Sequence, residues 1–176
     1  MRKINNNSIL PCITENVYNM KKLFILIFSI LPLLLIAQLK GKVVGITDGD
    51  TFKLLTTNNK QVKVRLYGID CPEKKQDFGS VAKQFLSDQI LGKQVKVEEK
   101  SIDRYGRTIG MVFTDKHINV NEALLKAGLA WHYVYFDKNN PAWDNLENKA
   151  KAAKKGLWSG PNPIEPWNFR KQKKKK

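Results

Sequence analysis

Cysteine and histidine are scarce in this chain, since each occurs only twice among its 176 residues. Cys12 lies near the N-terminus and Cys71 stands alone in the rest of the chain, so the part after residue 37 has no partner for an internal disulfide. Neither His117 nor His132 has a second ligand at a recognisable metal-binding spacing. These absences exclude a disulfide-stapled fold and argue against a histidine-based metal centre, so a hydrophobic core must supply the stability.

A hydrophobic run long enough to cross a bilayer comfortably is also missing. The apolar segment Leu23–Ala37 has 15 residues and is interrupted by Pro32, whereas a spanning helix needs roughly 20. Lys21 and Lys22 precede the segment, which is the order typical of a secretion signal. We therefore expect residues 1–37 to be a leader and signal peptide, and the protein to be secreted or periplasmic. An uncleaved membrane anchor is the alternative.

Acidic residues are outnumbered almost two to one. The chain has 31 Lys and Arg against 16 Asp and Glu, a formal net charge of +15, which predicts a polyanionic partner. We interpret residues 161–176 as a Pro-containing, Lys-rich tail that follows a domain over residues 38–160. The last part, Arg170–Lys176, has no apolar pattern and is predicted to be a solvated, disordered arm that serves solubility, wall retention or nonspecific nucleic-acid affinity.

Period-two patterns dominate residues 39–114. Five segments rich in β-branched residues are predicted to be strands: KGKVVGIT, DTFKLLTT, QVKVRLYGI, QVKVEEKSI and RTIGMVFT. Residues Thr57–Lys60 are typical of a tight hairpin, because asparagine tolerates positive φ. The five strands predict a small antiparallel barrel.

Helical spacing of apolar residues appears in three stretches, each followed by a plausible glycine stop: Gly79–Leu91, Asn119–Ala127 and Pro141–Lys155. The predicted fold class is therefore α+β. Its architecture is a five-stranded barrel of the oligonucleotide/oligosaccharide-binding type, the OB-fold, with three peripheral α-helices.

Two aspartates are predicted to meet at one end of this barrel. Asp48 and Asp50 flank a turn between two strands, and an Asp-Gly turn by itself indicates nothing more. Asp70 ends the next strand, where its carboxylate would lie beside that of Asp50. Two adjacent carboxylates repel each other unless a proton or cation neutralises one, and a hard metal ion suits their oxygens.

Two arginines lie close in sequence to these carboxylates. Arg65 stands five residues before Asp70, so it faces the other side of the strand unless the chain bends at Gly68. Arg107 follows the Tyr105-Gly106 turn. Each alone would be interpreted as a surface residue, but together they suggest a phosphate site, because guanidinium groups suit phosphate oxygens.

A third carboxylate, Glu73, follows Pro72 where the chain leaves the strand. Three residues from Asp70, it is placed to reach a metal-bound water without binding the metal itself, as a general base requires. Anchoring of the loop is the alternative role.

Five motifs together resemble the staphylococcal nuclease (thermonuclease) family. In family order they are ITDGDT, RLYGIDCPE, DRYGR, VNEALLKAGLAWHYVY and KAKAAKKGLW, and the similarity covers about residues 39–158. The resemblance implies a Ca²⁺-dependent nuclease that hydrolyses phosphodiester bonds of DNA and RNA with little sequence preference and leaves 3′-phosphate ends. A non-catalytic nucleic-acid-binding OB-fold module is the main alternative, and a membrane-tethered or wall-associated polyanion-binding protein is a third.

The resemblance also implies residue roles. A Ca²⁺ site would be formed by Asp50, Asp70 and the backbone carbonyl of Cys71. The groups that bind the scissile phosphate and activate water would be Arg65, Arg107 and Glu73. Contacts to the bound nucleotide would come from Tyr105, Tyr133 and Tyr135, although packing is an equal alternative for Tyr135. No stable protein partner is indicated, and a monomer is expected.

Two departures from the family pattern affect the site. Cys71 stands where the founding member has threonine, which places a thiol open to oxidation beside the site. The loop Lys74–Phe78 is shorter than in the founding enzyme. Among the aromatic residues, three tryptophans are predicted to close the core (Trp131, Trp143 and Trp158), and Trp167 is expected to pack back onto the domain.

Overall fold

A closed five-stranded barrel forms the centre of the computed structural model, which describes residues 38–174. The described residues contain seven strands in all: β1 (Leu39–Ile46), β2 (Thr51–Thr56), β3 (Gln61–Leu66), β4 (Ile69–Asp70), β5 (Gln94–Ile102), β6 (Thr108–Thr114) and β7 (Trp131–His132). The barrel order is β1-β2-β3-β6-β5, while β4 and β7 form a separate two-stranded sheet. The α+β fold class and the five-stranded barrel are confirmed.

One seam of the barrel differs from the purely antiparallel arrangement expected. Strands β3 and β6 pair in parallel, with Arg65 opposite Ile109. Parallel neighbours need a long crossover, and the chain between these strands supplies one that contains a helix and β5. The predicted hairpin between β2 and β3 is present. Asn59 has a positive φ of 56°, a conformation that asparagine tolerates.

The barrel interior holds the alternate residues of the strands. Fully buried side chains point inward from all five barrel strands, and they include Val43, Phe52, Leu54, Val64, Val97 and Val112. Because successive strand residues point to opposite faces, the intervening lysines of the same strands are left near solvent. This alternation explains how so basic a chain still forms a dry core.

Three helices lie where helical spacing predicted them: α1 (Gly79–Ile90), α2 (Val120–Lys126) and α3 (Pro141–Ala152). Asn119 caps α2 by accepting hydrogen bonds from two backbone N–H groups, and Asn140 caps α3, which begins with a proline. A short 3₁₀ helix over Gly156–Ser159 follows α3.

A fourth helix, α4 (Pro166–Lys174), was not predicted. The expectation of a disordered arm from Arg170 is therefore wrong for residues 170–174. The helix is held by contacts that composition does not reveal: Trp167 stacks on Tyr133, and Arg170 pairs with two carboxylates. The expected return of Trp167 onto the domain is confirmed.

The other tryptophans pack as expected. Trp131 and Trp143 are buried, and Trp158 is half-buried against Trp131, with ring centroids 5.3 Å apart. Within residues 38–174, no helix combines the length and the apolar character needed to cross a membrane. The predicted signal peptide or anchor lies outside the described residues.

Candidate active site

The turn between β1 and β2 positions the first carboxylate. The backbone N–H groups of Thr47 and Asp48 donate to the Thr51 carbonyl, and the Asp50 N–H donates to Oδ1 of Asp48 over 3.3 Å. Asp48 thus helps to form the turn, while Asp50 is buried with 3% of its surface exposed. Its Oδ1 also accepts a 2.9 Å hydrogen bond from the Thr51 hydroxyl.

The second carboxylate, Asp70, lies on β4 and is completely buried. The next residue connects it to the first, because the Cys71 N–H donates to Oδ2 of Asp50 over 3.3 Å. The main chain at Cys71 thus lies beside the carboxylate pair. The role of its carbonyl as a ligand stays a prediction.

Arg65 bridges the two aspartates. Its Nη1 lies 2.8 Å from Oδ1 of Asp50, and its Nη2 lies 2.6 Å from Oδ1 of Asp70. The strand does turn at Gly68, which has a φ of +65° and brings the side chain of Asp70 back to Arg65. A guanidinium fork is thus fixed between two carboxylates, with 18% of its side chain still accessible to solvent.

Glu73 lies on the loop that leaves β4. Its N–H donates to Oε1 of Gln76 over 2.8 Å, and the Gln76 N–H donates back to the Glu73 carbonyl over 2.8 Å. Gly79 packs so closely that a side chain there would collide with the main-chain oxygen of Glu73. The backbone of the loop is therefore fixed, while the Glu73 side chain keeps 38% exposure and is able to reach a water molecule.

Asp50, Asp70 and Glu73 form a carboxylate cluster around Arg65. Arg170 of α4 also contacts this cluster, and it was not predicted from the sequence. Its Nη2 lies 2.7 Å from Oδ2 of Asp70 and its Nη1 lies 2.8 Å from Oε1 of Glu73. The sequence carried one signal: Arg170 is the single arginine in a tail whose other basic residues are lysines. Arginine differs from lysine in offering a planar fork to carboxylates.

Arg107, just before β6, is held by Asp103, which lies four residues earlier in the chain. Asp103 accepts from the Arg107 Nε over 2.7 Å, and the guanidinium lies 5.5 Å from the centre of the exposed Tyr105 ring. Among the described residues, the ion pair of Arg107 is with Asp103 and not with Asp50, Asp70 or Glu73. The structure thus brings three predicted carboxylates and Arg65 together, but gives Arg107 no direct contact with them.

Tyr133 and Tyr135 form an aromatic patch with Phe136, and Trp167 of α4 lies against it. Tyr133 stacks on Trp167 with centroids 4.9 Å apart and on Tyr135 with centroids 6.1 Å apart. Tyr135 has 70% of its surface exposed, so core packing does not account for it. Because Trp167 and Arg170 belong to one helix, this patch lies next to the carboxylate cluster.

Burial raises the pKa of the Asp50 carboxyl; the Arg65 guanidinium opposes this rise, and Asp48 adds to it. Burial also raises the pKa of the Cys71 thiol well above its ordinary value, and the nearby Asp50 and Asp70 raise it further. Burial lowers the pKa of Arg65, but Asp50 and Asp70 outweigh burial and raise it overall. Cys71 is 4% exposed and its raised pKa disfavours the thiolate, so both observations argue against the expected oxidation.

The donor set fits a hard cation. Among residues 38–174, no three His, Cys, Asp or Glu side chains are grouped closely enough to hold a metal, and oxygens of Asp50 and Asp70 accept hydrogen bonds from Arg65 and Arg170. A cavity of about 20 Å³ lies between the two aspartates and Glu73. Ca²⁺ and Mg²⁺ accept such oxygen donors and complete their shells with main-chain oxygens, water and phosphate.

His132 has a structural role. Its Nδ1 lies 2.7 Å from Oδ1 of Asp144 and its Nε2 lies 3.4 Å from Oδ2 of Asp137, and the ring packs against Trp143. With 1% of its side chain exposed, it connects β7 to α3. His117 has a positive φ of 60° in the exposed turn after β6.

Comparison with known proteins places the chain. The family model described as "Staphylococcal nuclease homologue" matches residues 63–160. "Protein ParB" of Escherichia coli is 41% identical over 145 residues, which cover 77% of this chain and 81% of that protein. "Micrococcal nuclease" of Shigella flexneri is 41% identical over 147 residues, covering 78% and 84%. An "Uncharacterized endonuclease" of Haemophilus influenzae is 41% identical over 150 residues, covering 85% and 83%. Because the family model covers more than half of the chain and these relatives are about 41% identical over most of its length, the chain belongs to the staphylococcal nuclease family.

Proposed function

We propose that the protein is an exported, Ca²⁺-dependent nuclease that hydrolyses phosphodiester bonds of DNA and RNA with low sequence specificity. One observation carries the proposal: Arg65 lies within 2.8 Å of Asp50 and within 2.6 Å of Asp70 at the end of a barrel. A phosphate and a hard cation each find their preferred partners within this cluster. Family membership and the nuclease names of relatives support the same activity.

In this proposal Asp50 and Asp70 would hold Ca²⁺, assisted by the Cys71 carbonyl. When bound, the cation would supply positive charge that reduces the repulsion between an anionic phosphate and an attacking water. Arg65 would bind a phosphate oxygen with the guanidinium edge that faces solvent, stabilising the charge that builds up there. Its position is fixed in advance by both aspartates, so little reorganisation is needed.

Glu73 would orient or deprotonate the attacking water. Its side chain is partly exposed and its loop is fixed, which suits a base that must reach water without losing its position. Arg107 would join the phosphate by leaving or sharing its contact with Asp103, and the aromatic patch would stack on bases. Cleavage on the 5′ side of the phosphodiester would leave 3′-phosphate ends.

Digestion of DNA and RNA by the purified protein tests this proposal. We expect cleavage of single-stranded and duplex DNA and of RNA with Ca²⁺, and none with a chelator. Glu73→Gln and Arg65→Lys should each lower the rate by about 100-fold or more, because each removes a group that acts on the reacting atoms. Lys63→Gln, on the same strand as Arg65 and exposed, is the matched control and should retain most of the activity.

The chemistry of the product ends provides a second test in the same digestion. If 3′-phosphates are formed, the fragments should resist polymerase extension until they are treated with phosphatase. Binding of oligonucleotides with no cleavage under any cation would identify a non-catalytic module instead. Fractionation of expressing cells tests export: a soluble product that starts near Gln38 supports it, whereas membrane-bound protein that retains Leu23–Ala37 supports an anchor.

A further inference from the structure

Helix α4 places two side chains on the candidate site from one face. Trp167 and Arg170 are three positions apart, which puts them on the same side of a helix. The first contacts the aromatic patch, and the second contacts the carboxylate cluster. The two contacts cover the two kinds of surface that a nucleotide and its cation would need.

Arg170 makes three hydrogen bonds in the carboxylate cluster. Its Nη1 donates to Oδ1 of Asp70 over 3.3 Å and to Oε1 of Glu73 over 2.8 Å, and its Nη2 donates to Oδ2 of Asp70 over 2.7 Å. Arg65 already donates to Oδ1 of Asp70. Both oxygens of Asp70 therefore accept from guanidinium groups, and Glu73 is paired as well.

A cation at Asp70 would need these same oxygens. The Arg170 guanidinium supplies one positive charge beside Asp70 and Glu73, where the proposed mechanism needs a metal ion and a free base. Arg65 takes only Oδ1 of Asp70, so Oδ2 is the oxygen left for a cation, and Arg170 binds it. Because the guanidinium and a cation are both positive and require the same oxygen, their binding should be competitive. Oε1 of Glu73 also accepts from Arg170, which lowers the basicity of the carboxylate toward a water molecule.

Trp167 covers the aromatic patch in the same way. Its ring lies 4.9 Å from the Tyr133 ring at an interplanar angle of 23°, which is a stacked arrangement. A nucleic-acid base bound to Tyr133 would have the same geometry. The indole thus occupies the position that we expect for a base, while Arg170 occupies that of a cation.

The first half of α4 lies against the domain, with Pro166 buried and residues 167–170 half-buried. Gln76, which also bonds to Glu73, donates from Nε2 to the Ile164 carbonyl over 3.0 Å. The Arg170 side chain is still 41% exposed, and a cavity of about 360 Å³ lies between the segment before α4 and the Lys75–Phe78 loop. A nine-residue helix is marginal on its own, so release of these contacts would free the segment.

We propose that α4 is an intramolecular competitor of cation and nucleotide in this site. In the closed form described here, Arg170 holds Asp70 and Glu73, and Trp167 holds Tyr133. Cation and substrate bind when α4 moves away, so their apparent affinity falls with the fraction of closed protein. The inference depends on the proposed function, since it assigns the competed ligands to that site.

Calcium binding to the full-length protein, measured by titration calorimetry without substrate, tests the competition. Arg170→Ala should lower the apparent Kd for Ca²⁺ at least about fivefold, because no guanidinium of α4 then competes with Ca²⁺ for Asp70. Arg170→Lys, which keeps the charge but loses the fork, should give an intermediate value. Lys171→Ala is the matched control, since it removes an exposed positive charge from the adjacent position and should leave the Kd unchanged.

Binding of a six-nucleotide single-stranded DNA in the presence of chelator tests Trp167 separately. Trp167→Ala should increase the affinity if the indole blocks Tyr133. Reduced affinity would show that Trp167 itself binds bases and would overturn the proposal. Circular dichroism of each variant confirms that the barrel is folded.

The outcomes separate this proposal from the proposed function. Unchanged or weaker Ca²⁺ affinity in Arg170→Ala, together with Ca²⁺-dependent cleavage by the unaltered protein, would overturn the competitor and leave the nuclease standing. Tighter Ca²⁺ binding in Arg170→Ala without any cleavage would support the competition and contradict the nuclease. Absence of Ca²⁺ binding to both proteins would contradict both proposals.

Discussion

Arg65 donates a 2.6 Å hydrogen bond to Asp70, although the two residues are five positions apart on a stretch that begins as a strand. Alternation alone would place them on opposite faces. They meet because the chain turns at Gly68, whose φ of +65° is unfavourable for any residue with a side chain. One backbone conformation therefore connects the fold to the geometry of the candidate site.

Gly68→Ala should disturb both stability and activity. The left-handed conformation costs an L-residue about 1–2 kcal/mol. The new methyl group would in addition lie 2.8 Å from Cζ3 of Trp143. We expect the free energy of unfolding in urea to fall by about 2 kcal/mol or more. Gly106→Ala is the matched control, because its φ is also positive but its side chain would meet no atom within 4 Å; an equal loss in both variants would contradict the packing argument.

Asn121→Ala should destabilise the junction between α2 and the barrel. The Asn121 side chain is buried, accepts from the Val112 N–H over 3.0 Å and donates to the Tyr67 carbonyl over 2.9 Å. Its removal leaves both backbone groups without these partners, which costs about 1–3 kcal/mol for each buried group. Urea unfolding should show a total loss of about 2–6 kcal/mol. Lys126→Ala, which breaks an exposed ion pair with Glu122 on the same helix, should cost less than about 0.5 kcal/mol.

The barrel was predictable because its signal is periodic and local. Alternating residues in β1, β2, β3, β5 and β6 each show which face is buried, and the turn residues mark where each strand ends. The parallel pairing of β3 with β6 was not predictable in this way, because the direction of pairing depends on how the whole barrel closes. No residue pattern within either strand encodes that closure.

The candidate site also contains residues that the sequence predicts and one that it does not. Asp50, Asp70 and Arg65 lie on or beside strands, so the register of the barrel brings them together once the bend at Gly68 is recognised. Arg170 was missed because its partners are about 100 residues away and its neighbours in sequence are solvated lysines. A short helix stabilised by tertiary contacts has little local signal.

The Cys71 thiol should be unreactive in the folded protein. It is buried, and burial together with Asp50 and Asp70 raises its pKa above the ordinary value. Because the thiolate is the reactive form, we expect a thiol reagent at pH 8 to label Cys71 much more slowly in native protein than in urea. Cys12 is replaced by serine in both samples, so that all labelling occurs at Cys71. Equal labelling rates in the two states would contradict the burial of Cys71.

The same shift predicts how stability depends on pH. The pKa of Cys71 is raised in the folded state, so the thiol of the unfolded chain ionises first, near its ordinary pKa of 9.0. The stabilising contribution is fully present below that pH and is lost as pH rises through the folded pKa. We therefore expect the difference in free energy of unfolding between the unaltered protein and Cys71→Ala to be constant below about pH 8 and to shrink above pH 9. A difference that grows above pH 9 would reverse the sign and contradict the raised pKa.

Asp103→Asn should separate the fold of the β5–β6 turn from the position of Arg107. Oδ1 of Asp103 accepts from the backbone N–H groups of Tyr105 and Arg107, while Oδ2 accepts from the Arg107 side chain. Asparagine keeps an oxygen for the first role but places an NH₂ group, which cannot accept, in the second. The turn should therefore remain while the guanidinium is released.

If Arg107 must leave Asp103 to bind phosphate, Asp103→Asn should tighten substrate binding and lower KM about threefold to tenfold. If Asp103 instead orients Arg107 for the transition state, kcat should fall by a similar factor with KM unchanged. We expect the second result, because the Asp103 contacts fix Arg107 through both its backbone and its side chain, and a fixed cation needs less reorganisation when charge develops on the phosphate. Steady-state kinetics on a labelled oligonucleotide distinguish the two. Glu99→Gln, which removes an exposed negative charge from the same β5–β6 hairpin, is the control for the change in local charge. A fall in kcat of the same size in Glu99→Gln would show that net charge, and not the Asp103–Arg107 contact, sets the rate.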